Sequence, residues 1–219
     1  MIPRYTSLPE IAQIVRREVL GPWRLDSCIA STRVGGGVLA ALGIASEPLA
    51  VEVMIFNAPW VQRAIREHRM PQGTAEITRW TDECGAYSVG VGIPPGRAID
   101  EKRRRPTDGK PWYGHLVSIT EYGLMVDWSL DQASRPEYGI RLVPRVSTVP
   151  PDFVNGREPR LVQQDGETML IYSARVADRT YQRSVDWRGR DAAVQATIFR
   201  ALARIEALAA RKPTGFVPR

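Results

Sequence analysis

Apolar residues recur at helical spacing in some stretches of the chain and alternate in others. After Ser7-Leu8-Pro9-Glu10, which has the form of a capping box, Ile11, Ile14, Val15, Val19 and Leu20 define one apolar stripe. Gly21-Pro22 ends that helix. Asp26 or Ser27 is a suitable N-cap for a second helix, which opens at Cys28 and runs to about Leu42, with Gly43 beyond it. This helix contains Gly35-Gly36-Gly37, each costing about 1 kcal/mol relative to Ala. Such a cost implies either another backbone packed closely on that face or a break in the helix. Alternation predicts strands over 49–57 and 87–93, with a short helix over 59–68 between them. Residues 114–120 and 124–130 read as a hairpin around Glu121-Tyr122-Gly123, and a second hairpin turns at Gln164-Asp165-Gly166. Val194, Ile198, Leu202, Ile205 and Leu208 mark a long helix over 190–211. The mixture predicts an α+β fold in a single domain, with no internal repeat.

Composition narrows the class. The 219 residues are 43% hydrophobic and 25% charged, which is a globular balance rather than that of a disordered chain. Two cysteines exclude a disulfide-rich scaffold. No apolar run reaches the ~20 residues of a membrane span, and the first twenty residues lack the apolar stretch of a secretory signal. The expected location is therefore cytoplasmic, with no membrane partner. The net charge of +6 is spread along the chain except at Lys102-Arg103-Arg104-Arg105. That cluster lies in a Pro-, Gly- and charge-rich loop over 94–111, and no interleaved aromatics accompany it to suggest a nucleic-acid face. Oligomeric state is left open.

Three side chains stand in contexts that suggest chemistry. A thiol becomes a nucleophile when its thiolate is stabilised, and the free N–H groups at a helix start favour a negative charge. Cys28 occupies such a position. An imidazole beside it would serve as base and acid, and a carboxylate on the other ring nitrogen would orient that imidazole. His115 and Asp127 lie on the two predicted strands of the first hairpin. A turn centred on residue 121 would set them roughly opposite each other, with Cβ atoms about 4.5–5.5 Å apart. Asp127 is also a carboxylate in an apolar strand, Leu124 to Leu130, and burial there demands a partner.

The segments LDSCIASTRVGGGVLAALGI and WYGHLVSITEYGLMVDWSLDQ resemble, respectively, the catalytic-Cys helix and the His-strand, turn and Asp-strand of transglutaminase-like domains within the papain-like fold. Arylamine N-acetyltransferases share that core and the order Cys, His, Asp. The resemblance covers roughly residues 23–140. It implies an α+β papain-like core with a nucleophile helix packed on an antiparallel sheet; residues 141–219 carry no such resemblance, and their own pattern predicts a hairpin and a long helix packed on that core. By the same resemblance Cys28 is the nucleophile of a thiol-dependent acyl transfer, His115 the base and acid, and Asp127 the orienter. The partner is an acyl donor, a small molecule or a protein side chain. No cofactor and no metal are implied. The Arg-Gly-Gly that precedes the nucleophile in N-acetyltransferases is absent, as is the Gln that precedes it in papain-type peptidases.

Trp112, Tyr113, Trp128 and Gln132 are candidates for lining the substrate site, although core packing accounts equally well for the aromatic ones. Cys84 and His68 read as structural. Cys28, His68, Cys84 and His115 include no local ligand pair of the kind zinc sites use. Two other function classes stay open: a non-catalytic module that keeps the fold and docks a protein or nucleic acid through the 94–111 loop, and a cysteine peptidase.

Overall fold

The computed structural model describes residues 6–23, 27–93, 112 and 114–211. The Arg-rich loop over 94–111 and Tyr113 lie outside the described residues, as does Asp26. The chain folds as α+β. Helices α1 (Leu8–Val19) and α2 (Cys28–Ala41) lead into strand β1 (Ser46–Phe56), then α3 (Ala58–Glu67), α4 (Gly73–Cys84) and β2 (Ser88–Val91). Strands β3 (His115–Thr120), β4 (Leu124–Asp127) and β5 (Arg145–Thr148) follow, then α5 (Pro151–Val154), β6 (Arg160–Asp165) and β7 (Thr168–Ala174), and finally α6 (Val185–Arg188) and α7 (Asp191–Arg211). The strands form one curled antiparallel sheet in the order β5-β4-β3-β1-β7-β6, with β2 also paired to β1.

Strand β1 is the axis of this sheet. Along one edge its first half pairs with β3, from Ser46↔Thr120 to Val51↔His115, and its second half pairs with β2. Its other edge takes β7, from Val51↔Ala174 to Phe56↔Met169. The core therefore extends past the expected span of 23–140. Strand β7 is a central strand, β5 continues the sheet beyond β4, and Val194, Ile198 and Ile205 of α7 are buried, so these later elements are part of the core.

Alternation along the strands divides the interior in two. On one face, Val126 and Trp128 pack with Val15 and Val19 of α1, Val34 and Val38 of α2, and Ile198 and Ile205 of α7. On the other, Val51, Val53, Val117, Met125, Leu170 and Tyr172 form a second cluster closed by Phe153, Leu130 and Ile140. Helix α1 begins as its sequence predicts, with the backbone N–H of Ser7 donating to the Glu10 carboxylate at 2.8 Å. Helix α4 was not legible as a separate element. It follows the Met70-Pro71-Gln72-Gly73 break with Gly73 at φ 80°, and its Trp80 is fully buried against Trp60.

Helix α2 is unbroken at its three glycines, and the groups that crowd them are side chains rather than a backbone. A Cβ on Gly35 would stand 2.3 Å from the indole of Trp128, and one on Gly37 would stand 2.3 Å from Cδ1 of Ile198. The missing side chains thus seat α2 on the sheet through Trp128 and against α7 through Ile198. This seating fixes where the first residue of α2, Cys28, arrives.

Candidate active site

Cys28 is the first residue of α2, behind the N-cap residue Ser27, and His115 is the first residue of β3. The two elements are tied one turn further in, where the Thr32 hydroxyl donates to the Leu116 carbonyl at 3.0 Å. The Cys28 thiol reaches the backbone oxygen of Gly114 at 3.9 Å and adjoins the His115 ring. Cys28 comes from the helix-covered face, in a cluster with Ile29, Ala50, Leu116 and Tyr181. His115 and Asp127 share the parity of Val117 and Met125 and belong to the opposite face. Cys28 and His115 meet at the end of the sheet where β3 starts.

The backbone at His115 is held by a close approach. Gly92 adopts φ 75°, and a Cβ there would fall 2.4 Å from the His115 nitrogen and 2.7 Å from the Val51 oxygen. Only glycine fits between those two strands at this point.

His115 and Asp127 are both fully buried. Nε2 of His115 lies 2.8 Å from each carboxylate oxygen of Asp127. The pairing differs from the direct opposition expected of the hairpin. The observed register is Ser118↔Val126 and Ile119↔Met125, which continues to place Asp127 opposite Val117. His115 thus lies on the diagonal, one same-face step further along. The turn is a three-residue loop, with Gly123 at φ 70° and its N–H donating to the Thr120 carbonyl at 3.0 Å, so its centre is residue 122 rather than 121. Diagonal neighbours lie about 7–8 Å apart at Cα, a distance that an imidazole and a carboxylate together span.

The rest of the Asp127 environment was not foreseen from sequence. The Tyr172 hydroxyl donates to one oxygen at 3.2 Å, and the backbone N–H of Ser129 donates to the other at 3.2 Å. Tyr172 belongs to β7, far away in sequence, and only the sheet order brings it here. Burial, together with the Asp127 charge, pushes the Tyr172 phenol well above its ordinary range, so it remains a donor. The carboxylate of Asp127 is therefore held by three donors.

For the imidazole, burial favours the neutral ring, but the charge and hydrogen bond of Asp127, joined by the adjoining Cys28, outweigh it. The His115 pKa is raised from 6.5 to about 10. This shift favours the protonated ring; Nε2 faces the carboxylate, Nδ1 faces the Gln132 amide, and the Cys28 sulfur lies alongside.

Of the other candidates, Gln132 joins the site. It sits in a 3-10 turn, Leu130–Ala133, and its Nε2 lies 2.8 Å from His115 Nδ1. A protonated ring carries N–H on both nitrogens, so the amide then presents its oxygen to Nδ1; a neutral ring accepts the amide N–H instead. A half-turn of the amide exchanges the two. Trp112 packs edge-on against Tyr181 at 5.8 Å between centroids, and its indole N–H donates to Asp178 at 3.4 Å. Tyr181 in turn meets Trp187 at 4.8 Å, so a row of aromatics lies beside Cys28. Trp128 does not face this region. It is fully buried on the helix side, where its indole N–H donates to Ser118 Oγ at 2.7 Å. Cys84 donates its thiol to the Trp80 carbonyl at 3.1 Å, and His68 caps α3 at φ 51°. Both sit away from the relay. Among the described residues no group of three or more His, Cys, Asp or Glu side chains is arranged to hold a metal ion, and no helix is long and apolar enough to cross a membrane.

Comparison with protein-family models, with curated proteins and with solved structures gives no match to this chain.

Proposed function

We propose that this chain is a thiol-dependent acyl-transfer enzyme on a papain-like, transglutaminase-like core, with Cys28 as nucleophile, His115 as acid and base, and Asp127 as orienter. One observation carries the reading: a sulfur at a helix start, an imidazole and a carboxylate converge in sequence-distant succession, and the imidazole–carboxylate pair is fully buried. A buried ion pair contributes little net stability compared with apolar packing. Its retention here is accounted for by work on the neighbouring sulfur.

The chemistry follows from the geometry. With the Cys28 thiol proton carried by the His115 ring, the sulfur attacks the acyl carbon of an amide or thioester, the bond to the leaving group breaks, and His115 gives that group the same proton. The product is a Cys28 thioester and a neutral ring. Acylation of the sulfur removes the Cys28 contribution that raises the His115 pKa, so the ring is a better base in this state than at rest. It then takes a proton from water or an amine, which attacks the thioester and frees the sulfur. Asp127, locked by Tyr172 and Ser129, keeps Nε2 directed at itself, so the proton is exchanged at Nδ1, the nitrogen that the Gln132 amide contacts at 2.8 Å and must yield.

The test is acyl-enzyme trapping. Incubation with p-nitrophenyl acetate followed by mass spectrometry should show one acetyl group on Cys28. The adduct should be absent in Cys28→Ala and formed at least tenfold more slowly in His115→Ala, at the low end of what a positioned acid–base group supplies. Acetylation confined to Cys84, or equal rates in wild type and His115→Ala, would refute the assignment. A peptide panel scored for new amino termini then separates a peptidase from a transferase.

A further inference from the structure

We infer that Arg16, on α1, is the positioning residue that holds the nucleophile and the imidazole in mutual register. This rests on the acyl-transfer reading above and adds a residue that neither the sequence nor the relay itself points to. Arg16 is 3% exposed, so its guanidinium is a buried charge. Its Nε donates to Asp131 at 2.7 Å, and its Nη1 donates to Ser27 Oγ at 3.0 Å and Ser31 Oγ at 3.2 Å.

The three partners belong to two elements that must agree. Ser27 and Ser31 bracket Cys28 on the first turn of α2. Asp131 directly precedes Gln132 in the turn whose amide contacts His115 Nδ1. One planar fork on α1 therefore fixes the helix start that delivers the sulfur and the turn that directs the ring. Neither serine hydroxyl caps α2 in the usual way: Ser27 makes no side-chain bond to its own helix. Its side chain is committed to Arg16 instead. Guanidinium geometry suits this task, because its donors lie in a rigid plane and reach several acceptors at once, whereas an ammonium does not hold such a plane. Arg16 does not touch the reacting atoms. It acts through Ser27 and Gln132.

The experiment measures the rate at which iodoacetamide modifies Cys28 and Cys84, resolved by mass spectrometry, in wild type, His115→Ala, Arg16→Met, Arg16→Lys and Asp131→Asn. Far-UV circular dichroism checks that each variant is folded. In folded Arg16→Met the Cys28 rate should fall roughly 10- to 100-fold, the scale at which a misplaced reacting group is felt. The Cys84 rate should be unchanged. Arg16→Lys should recover part of the Cys28 rate. If Arg16→Met does not fold, Asp131→Asn, altered at a partly exposed partner, should give the same selective fall. A Cys28 rate at the wild-type level in a folded Arg16 or Asp131 variant would overturn the inference. Equal Cys28 rates in wild type and His115→Ala would instead overturn the acyl-transfer reading itself, so the two failures are distinct.

Discussion

Alanine at each of the three consecutive glycines of α2 should have three different effects on stability, because the space at each position differs. In an open helix, Gly→Ala is favourable by about 1 kcal/mol. At Gly36 the nearest atom to an added Cβ is Ser46 Oγ at 3.9 Å, an ordinary contact, so Gly36→Ala should stabilise by about 0.5–1 kcal/mol. At Gly35 three indole carbons of Trp128 lie 2.3, 2.5 and 2.6 Å from the Cβ position. Non-bonded carbons settle at about 3.5–4.0 Å, so helix and indole must separate by more than about 1 Å. Trp128 is fully buried and donates to Ser118 at 2.7 Å, so it has no free direction in which to retreat. Overpacking costs about 1–3 kcal/mol and a stretched buried hydrogen bond about another 1. Set against the helix gain, Gly35→Ala should destabilise by about 1–3 kcal/mol. At Gly37 the obstacle is the Cδ1 end of Ile198, which can turn aside, so the change should be about 1 kcal/mol or less in either direction. Urea melts read at constant m-value give the comparison directly. Equal stability of Gly35→Ala and Gly36→Ala would show that α2 is not seated on Trp128, and the placement of Cys28 argued from that seating would fall with it.

Two further outcomes follow from the buried relay. In Asp127→Asn, the carboxylate charge that outweighs burial is gone, so the His115 pKa should drop below its wild-type position; NMR titration of the ring, with His68 as an internal comparison, would show this, and an unmoved His115 resonance would refute the ion pair. Because the folded pKa of His115, about 10, lies above its ordinary 6.5, its contribution to stability is complete below about pH 6.5 and is lost as pH rises toward 10. Denaturation midpoints measured from pH 6 to 10 should therefore fall in wild type and fall much less in Asp127→Asn.

The elements with strong local signals were legible in the sequence. The Ser7–Glu10 start of α1, the stripe of α7 and both hairpins appear where the pattern puts them, except that β4 ends at Asp127, three residues short of the expected Leu130. The convergence of Cys28, His115 and Asp127 was legible because each carries a local oddity: a cysteine at a helix start, and a histidine and an aspartate in apolar strands. What supports them was not. Tyr172 reads as one more apolar alternation in β7, and Arg16 as the polar face of an amphipathic helix. Their roles depend on β7 lying beside β1 and on α1 crossing the start of α2, which are long-range facts with no short-range signature. Trp128, which the sequence leaves open between the site and the core, is resolved to the core for a related reason. Its neighbour Asp127 suggested the site, but adjacent strand residues point to opposite faces, and Trp128 belongs to the helices.

The same alternation explains why an error in register left the relay intact. The expected hairpin set residues 115 and 127 opposite each other; the observed one displaces them by two. Because side chains alternate with period two, a two-step slip keeps His115 and Asp127 on one face and turns direct opposition into a diagonal. A one-step slip would have put the imidazole on the helix side and the carboxylate on the other, with no contact between them. Position along the strand matters as much as face. Cys28 and His115 approach from opposite faces of the sheet, so they can meet only where a strand ends and no ladder stands between them. One turn into α2, at Thr32, the side chain already meets the Leu116 carbonyl, which belongs to the ladder rather than to the ring. A nucleophile moved to that position would face backbone. The first residue of α2 and the first residue of β3 are thus the pair of positions at which this sheet and this helix can bring a sulfur to an imidazole.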